Sequence, residues 1–158
     1  MRNWGIYVVV ALGYIIYNVS TTADRDESGA IVDGGNVDAF NIRVGDCFDD
    51  TSSLLGEEVT SLPAVPCTEP HDNEVYAVFD VSVSDYPGAD QMSVMAFDAC
   101  KQRFQHFVGK EYDSSTLDIM TLHPSSESWR VQNDREVVCA LYDMEGNKVT
   151  GSAKGRAI

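Results

Sequence analysis

The chain has 158 residues, a formal net charge of −14 and a hydrophobic content of 44%. A chain this acidic repels nucleic acid and anionic lipid headgroups, so neither is an expected partner. The glycine, serine and histidine motifs of nucleotide-binding proteins, serine hydrolases and zinc proteases are missing, which leaves these classes without support.

The amino-terminal segment indicates the compartment. Residues 3–23 carry no charge, and they reach the roughly 20 residues that a helix needs to cross a bilayer. Arg2 precedes this segment and an acidic run beginning at Asp24 follows it, so the positive-inside tendency places the rest of the chain outside. We expect residues 1–23 to be a signal anchor that contacts the membrane through residues 4–23. The alternative is a signal peptide cleaved after Ala23, which would release a secreted protein.

The next segment, residues 24–39, is rich in Asp, Gly and Ser, which predicts a flexible acidic tether. The 135 residues after residue 23 suffice for one domain but not for two, so residues 40–158 are expected to form a single extracytoplasmic domain. All 25 acidic residues and 10 of the 11 basic ones follow residue 23, which gives the exported part a formal charge of −15.

Four cysteines without a C-x-x-C pair follow: Cys47, Cys67, Cys100 and Cys139. An even number in an exported domain predicts two disulfides rather than a zinc site. Of the three possible connectivities we favour Cys47–Cys67 and Cys100–Cys139. The first would close a short loop between strands, and the second would tie a helix to the sheet.

Hydrophobic periodicity predicts several strands and one long helix. The strands are expected at residues 40–44, at residues 59–67 as an irregular or edge piece because two prolines interrupt it, and at residues 75–81 in the centre of the sheet. The helix should start with Asp90 as N-cap, continue to Val108 and stop at Gly109. Its predicted buried face consists of Met92, Ala96, Cys100, Phe104 and Phe107.

The carboxy-terminal third predicts two more strands, at residues 117–122 and 137–142. A loop at residues 124–128 should end at Trp129, and a turn at residues 145–147 should lead into a terminal hairpin. Because strands outnumber helices and follow one another in hairpins, the predicted fold class is α+β. We expect an antiparallel β-sheet covered on one face by one main helix, braced by two disulfides and preceded by the membrane helix.

The loop at residues 69–74 is the one local cluster whose side chains could take part in a reaction or bind a metal. His71, Asp72 and Glu74 could ligate a divalent metal or transfer a proton. The same residue types also satisfy turn amides and neighbouring strands, which is the more common use. We therefore predict no catalytic residue, no metal and no cofactor, and we treat these three side chains as candidate contacts for a partner or ligand.

Trp129 and Arg135 are further candidates for contact with a partner. A tryptophan after a loop more often covers the core than offers a ligand platform. Arg135 could pair with an acidic residue of the same sheet or with a carboxylate of a partner.

An ordered series of motifs carries a resemblance to a known family. The motifs are VGDCF at residues 44–48, VPCTEPHDNEV at residues 65–75, SW at residues 128–129, DR at residues 134–135, VCALYD at residues 138–143 and TGSA at residues 150–153. Over residues 40–155 the chain resembles the septum formation family, small domains on the outer face of bacterial, mostly actinobacterial, cytoplasmic membranes. The resemblance implies a membrane-tethered extracytoplasmic domain associated with division or envelope processes, with no established enzymatic chemistry.

Three kinds of function follow. The first is a non-enzymatic interaction module whose partners are envelope or division proteins, or subunits of a membrane complex. The alternative is a small envelope enzyme or metal-dependent binder that uses His71, Asp72 and Glu74. A third option is an accessory subunit of a larger membrane assembly.

Overall fold

The computed structural model describes residues 22–50 and 59–158. The predicted membrane segment lies outside these residues, apart from its last two positions. In the two described ranges, no helix is long and apolar enough to cross a membrane.

The described residues form two antiparallel sheets. The smaller one pairs β1 (Asp24–Arg25) with β2 (Ile31–Asp33). The larger one has six strands: β3 (Gly35–Asp38), β4 (Cys47–Phe48), β5 (Ser61–Val65), β6 (Asn73–Asp80), β7 (Leu117–Leu122) and β8 (Glu136–Asp143). Their spatial order is β3-β5-β4-β6-β8-β7, which puts β6 in the interior, as its apolar residues on both faces predict.

One long helix, α1 (Ala89–Val108), packs on this sheet, and a short helix, α2 (Ser126–Val131), connects β7 to β8. The whole predicted buried face of α1 is buried: Met92, Ala96, Cys100, Phe104 and Phe107. The helix ends at Gly109, whose left-handed φ of 85° is readily adopted by glycine. Its N-cap is Gly88 rather than Asp90, which lies in the first turn, where a carboxylate suits the positive end of the helix dipole.

The large sheet buries apolar side chains on both faces. On the face covered by α1, the disulfide Cys100–Cys139 joins the helix to β8. On the opposite face, Phe48, Leu62 and Val75 pack with apolar side chains of residues 31–42. The second disulfide, Cys47–Cys67, links β4 to the loop after β5. The α+β class, the antiparallel sheet, the main helix and both favoured disulfides are thus confirmed.

The amino-terminal part of the domain differs from the prediction. Residues 24–39 are not a flexible tether: they form β1, β2 and β3, and Ile31 and Val37 belong to the core. Residues 40–44 are not a strand. The side chain of Asp38 accepts a hydrogen bond from the Phe40 amide and starts a 3-10 turn at Ala39–Asn41 instead.

Three further predictions are corrected. β5 is an interior strand despite its proline, since the Pro63 carbonyl still accepts a hydrogen bond from the Asp49 amide. Residues 126–131 form α2 rather than a loop, because Ser125 and Ser128 make a reciprocal capping box. The predicted terminal hairpin does not form, since Val149 pairs with His71 and not with β8.

Candidate functional site

The loop that carries three of the candidate residues is covered by residues 148–153, which we call the C-terminal strap. The backbones of His71 and Val149 exchange two hydrogen bonds of 2.9 Å, and the Gly151 amide donates to the Cys67 carbonyl at 2.7 Å. These bonds join segments about 80 residues apart in the chain. The strap therefore pairs with the loop in antiparallel fashion, as an additional short strand would.

Glu74 is almost completely buried and hydrogen-bonded to the strap. Its side chain is 1% exposed, and its carboxylate accepts hydrogen bonds from the Ser152 hydroxyl and from the Ala153 amide, the latter at 2.7 Å. A buried carboxylate needs such donors to offset the loss of water. Glu74 thus fixes the strap to β6.

Asp72 and His71 are also held by internal contacts. Asp72 accepts hydrogen bonds from the Asp50 amide at 3.0 Å and from Lys148 at 2.9 Å. Burial opposes ionisation of Asp72, but these bonds and the charge of Lys148 outweigh it and lower the pKa of the carboxyl. The buried His71 ring places Nδ1 2.8 Å from the Glu69 carbonyl oxygen.

The geometry does not bring these three side chains to one centre. Glu74 faces the end of the strap, Asp72 faces Lys148 and His71 faces its own loop. This arrangement favours the structural interpretation of the loop over metal ligation or proton transfer.

Trp129 and Arg135, by contrast, lie together. The guanidinium carbon of Arg135 is 3.4 Å from the centre of the Trp129 ring, and its Nη1 donates to the carbonyls of Trp129 at 3.2 Å and Asp134 at 2.7 Å. The indole also contacts Tyr86, with ring centres 5.7 Å apart. The tryptophan is 8% exposed, so it is buried beneath the arginine, and Arg135 and Tyr86 form the outer layer.

The arginine of this cluster has no ion-pair partner among the described residues, as is true of several other basic side chains there. Arg25, Lys101 and Lys148 each form ion pairs, whereas Arg135 forms none with any carboxylate of the described residues. The neighbouring carboxylate of Asp134 accepts instead from the Ser128 hydroxyl and the Glu136 amide. The predicted pairing of Arg135 with an acid of the same sheet is therefore not seen, and its positive charge is not neutralised by a described partner.

Other polar contacts were not foreseen from the sequence. Arg25 pairs with the buried Asp46. Asp118 accepts hydrogen bonds from the hydroxyls of Tyr112 and Tyr142 at 2.5 and 3.1 Å. The bond to Asp118, together with burial, raises the pKa of Tyr112 to about 12. Asp118 and Tyr142 lie directly opposite each other on β7 and β8. The contact between them can therefore be inferred only when the register of these two strands is known.

The sequence matches a known family over most of its length. A family model described as septum formation matches residues 38–157. The chain belongs to the septum formation family. No curated protein and no solved structure gives a significant match to it.

Three motifs of this septum formation domain, VGDCF, VPCTEPHDNEV and TGSA, meet around the disulfide Cys47–Cys67. The Gly45 amide donates to the Val75 carbonyl, and the Val75 amide to the Asp46 carbonyl, both at 2.8 Å. The strap, which carries the TGSA motif, adds its bonds to Cys67 and Glu74. Three separate motifs are thus parts of one structural centre that holds β4, β6 and the carboxy-terminal segment together.

Proposed function

We propose that this member of the septum formation family is a non-enzymatic interaction module, anchored in the cell membrane by its amino-terminal segment and facing the extracytoplasmic side. Family membership supports a role related to septum formation or the cell envelope. The partners would be envelope or division proteins, or subunits of a membrane complex.

The anchored, extracytoplasmic placement rests on two features. Residues 3–23 are uncharged and long enough to span a bilayer, with a basic residue before them and acidic residues after. Both disulfides suit an oxidising compartment, because cytosolic thiols are kept reduced.

The observation that carries the interaction role is the stacked pair of Arg135 and Trp129. Arginine, tryptophan and tyrosine are the residue types that dominate binding energy at protein interfaces, and Tyr86 adds the third type. We call Tyr86, Trp129 and Arg135 the Trp129 surface. Its arginine is held in place by stacking and two carbonyls, so little side-chain entropy is lost when a partner binds.

The alternative function, an enzyme or metal-dependent binder based on His71, Asp72 and Glu74, has less support because each side chain already has an internal partner. Ligation of one metal ion by all three side chains would require the strap to separate from the loop.

Crosslinking on intact cells tests the proposal. The tagged full-length protein is crosslinked with a reagent that does not enter the cytoplasm, and captured proteins are identified by mass spectrometry. Arg135→Glu and Tyr86→Asp should each remove the same partner. Arg103 offers a matched control, since it also stacks on an aromatic ring, 3.9 Å above Phe79, yet lies on α1.

Three outcomes distinguish the two functions. Loss of one partner with Arg135→Glu but not with Arg103→Glu, at equal protein levels, supports the Trp129 surface. Capture of the same partners by the wild type and by both Trp129-surface variants would overturn it. A stoichiometric metal in the purified protein, lost when His71, Asp72 and Glu74 are replaced by Ala, would favour the alternative.

A further inference from the structure

The two disulfides differ in their access to solvent. Cys100 and Cys139 are both 0% exposed, at the contact between α1 and the sheet. In the other disulfide Cys47 is 0% exposed, whereas Cys67 is half-buried at the surface. Exchange requires that a thiolate reaches a sulfur atom, and Cys67 is the only one of the four cysteines that is not fully buried.

A buried carboxylate lies beside the accessible disulfide. Glu74 is the direct neighbour of Cys47 across β4 and β6, and its carboxylate oxygen and the two sulfurs all lie within 4.8 Å of one another. The carboxylate is fixed there by Ser152 and Ala153. An exposed sulfur, a buried sulfur and a buried proton acceptor are the components that controlled thiol–disulfide exchange requires.

We propose that Cys47–Cys67 is a redox-active pair that exchanges with external thiols and disulfides, and that Glu74 is the proton acceptor for Cys47, while Cys100–Cys139 is purely structural. This proposal is independent of the Trp129 surface. The exchange partner would be a small-molecule thiol or a dithiol oxidoreductase of the same compartment.

The oxidation runs in two steps. The thiolate of Cys67 attacks an external disulfide, forms a mixed disulfide and releases one external thiolate. The thiol of Cys47 then passes its proton to Glu74, and its sulfur attacks Cys67. The second external thiolate leaves and takes up this proton from Glu74, which returns to its carboxylate form. The protein loses two electrons and the external disulfide gains them. Reduction is the reverse, starting with attack of an external thiolate on Cys67.

Other titratable groups near Glu74 are engaged elsewhere. Asp46, next to Cys47, pairs with Arg25, and Lys148 of the strap pairs with Asp49 and Asp72. His71, on the same loop, contacts the Glu69 carbonyl. In the described ranges, the groups that bind the Glu74 carboxylate are the uncharged Ser152 hydroxyl and Ala153 amide, so Glu74 is the titratable acceptor facing Cys47.

The first test uses the full-length protein in detergent and measures which cysteines react. Limiting dithiothreitol followed by alkylation and mass spectrometry should open Cys47–Cys67 at least roughly tenfold faster than Cys100–Cys139. With glutathione disulfide, Cys47→Ser should accumulate a stable adduct on Cys67, whereas Cys67→Ser should form little adduct on Cys47. Equal opening of the two disulfides, or equal adducts on both cysteines, would overturn the proposal.

The second test isolates the role of Glu74. The glutathione adduct on Cys67 of otherwise reduced protein is prepared at acid pH, and closure to Cys47–Cys67 is followed after a jump in pH. Glu74→Gln should close roughly tenfold more slowly near pH 7 and approach the wild-type rate above about pH 9, where the thiol ionises without help.

Ser152→Ala is the matched control, because it weakens the same contact with the strap but keeps the carboxylate. A structural role alone would change both variants alike. A purely electrostatic role would make Glu74→Gln faster, since removing a negative charge favours the Cys47 thiolate. Either result overturns the assignment. If Glu74→Gln does not fold, the wild-type profile decides: closure that falls about tenfold per pH unit below the thiol range would show that no acceptor assists.

Discussion

Arg25 and Asp46 connect the first described strand to the buried centre of the motifs. Nη1 and Nη2 of Arg25 each lie 2.6 Å from an oxygen of the Asp46 carboxylate, and Asp46 is 3% exposed. The same arginine donates to the Gly29 carbonyl at 2.8 Å, so it also holds the turn between β1 and β2. This ion pair makes the segment directly after residue 21 part of the domain.

Removing the arginine should be strongly destabilising. Arg25→Met leaves the buried Asp46 carboxylate without its counter-ion, and we expect a loss of about 3 kcal/mol in the free energy of unfolding, measured with urea at pH 7. Asp46→Asn in the same chain should restore part of the loss. Lys101→Met breaks a surface pair with Asp113, which is 77% exposed, and should cost less than about 0.5 kcal/mol. Equal losses for the two single variants would contradict the burial argument.

Gly35 allows residues 22 and 23 to approach the edge strand β3 closely. A Cβ at this position would lie 2.6 Å from the backbone of both Thr22 and Ala23, closer than atoms can pack. Gly35→Ala should therefore push residues 22–25 away from β3 and expose them to protease. Limited proteolysis should then cleave this segment faster than in the wild type. Gly34→Ala is the matched control, with its nearest contact at 3.3 Å, and a similar cleavage rate in both variants would refute the close-packing argument.

The features predicted correctly are those that local sequence determines. The buried face of α1 follows from helical periodicity, and its end follows from Gly109. The interior position of β6 follows from apolar residues on both faces. The position of Cys100 on the buried face of α1, opposite an apolar strand with Cys139, favoured the correct disulfide.

The features missed depend on contacts between distant segments. Residues 24–39 have a linker-like composition, yet their strands form because Asp46 and β5 offer partners. The role of Glu74 depends on Ser152 and Ala153, 78 and 79 residues later. Neither pairing leaves a local pattern in the sequence. The residue types of the loop at residues 69–74 therefore indicate a candidate site, whereas its contacts with the strap do not follow from the local sequence.

Asp118 should contribute stability that depends on pH. Its burial opposes ionisation, but the hydrogen bonds from Tyr112, the Ile119 amide and Tyr142 prevail and lower the pKa of the carboxyl. A carboxylate with a lowered pKa in the folded state stabilises the protein at neutral pH, and this contribution is lost as the pH falls below the unfolded value of about 3.9 and through the folded pKa. Asp118→Asn should cost roughly 1 kcal/mol at pH 7.

The measurement is urea unfolding of wild type and variant between neutral and acid pH. The difference between them should shrink as the pH falls below about 4. Asp113→Asn, just before β7 but highly exposed, serves as the control and should behave like the wild type. A difference for Asp118→Asn that stays constant with pH would show that packing and not charge is responsible.

Glu136 presents the opposite case, a carboxylate whose ionisation the fold disfavours. Burial raises the pKa of Glu136, and the nearby charges of Asp134 and Asp80, its direct partner across β6 and β8, raise it further. A raised pKa means that the folded state holds the proton more tightly than the unfolded state, so ionisation at neutral pH costs stability, and this cost disappears as the pH falls through the folded pKa. Glu136→Gln should therefore stabilise the protein at pH 7 by roughly 0.5 kcal/mol, because like charges on opposed strand positions repel each other.

The melting temperatures of wild type and Glu136→Gln, recorded from pH 7 down to about pH 4, test this sign, since the gain should vanish where the wild-type carboxyl is protonated. Glu111→Gln, at an exposed position before the turn that precedes β7, removes the same charge from the chain without relieving a local repulsion. If both variants gained equally, the overall charge of −14 would be the cause. A gain confined to Glu136→Gln would assign it to the local repulsion of Glu136 by Asp134 and Asp80.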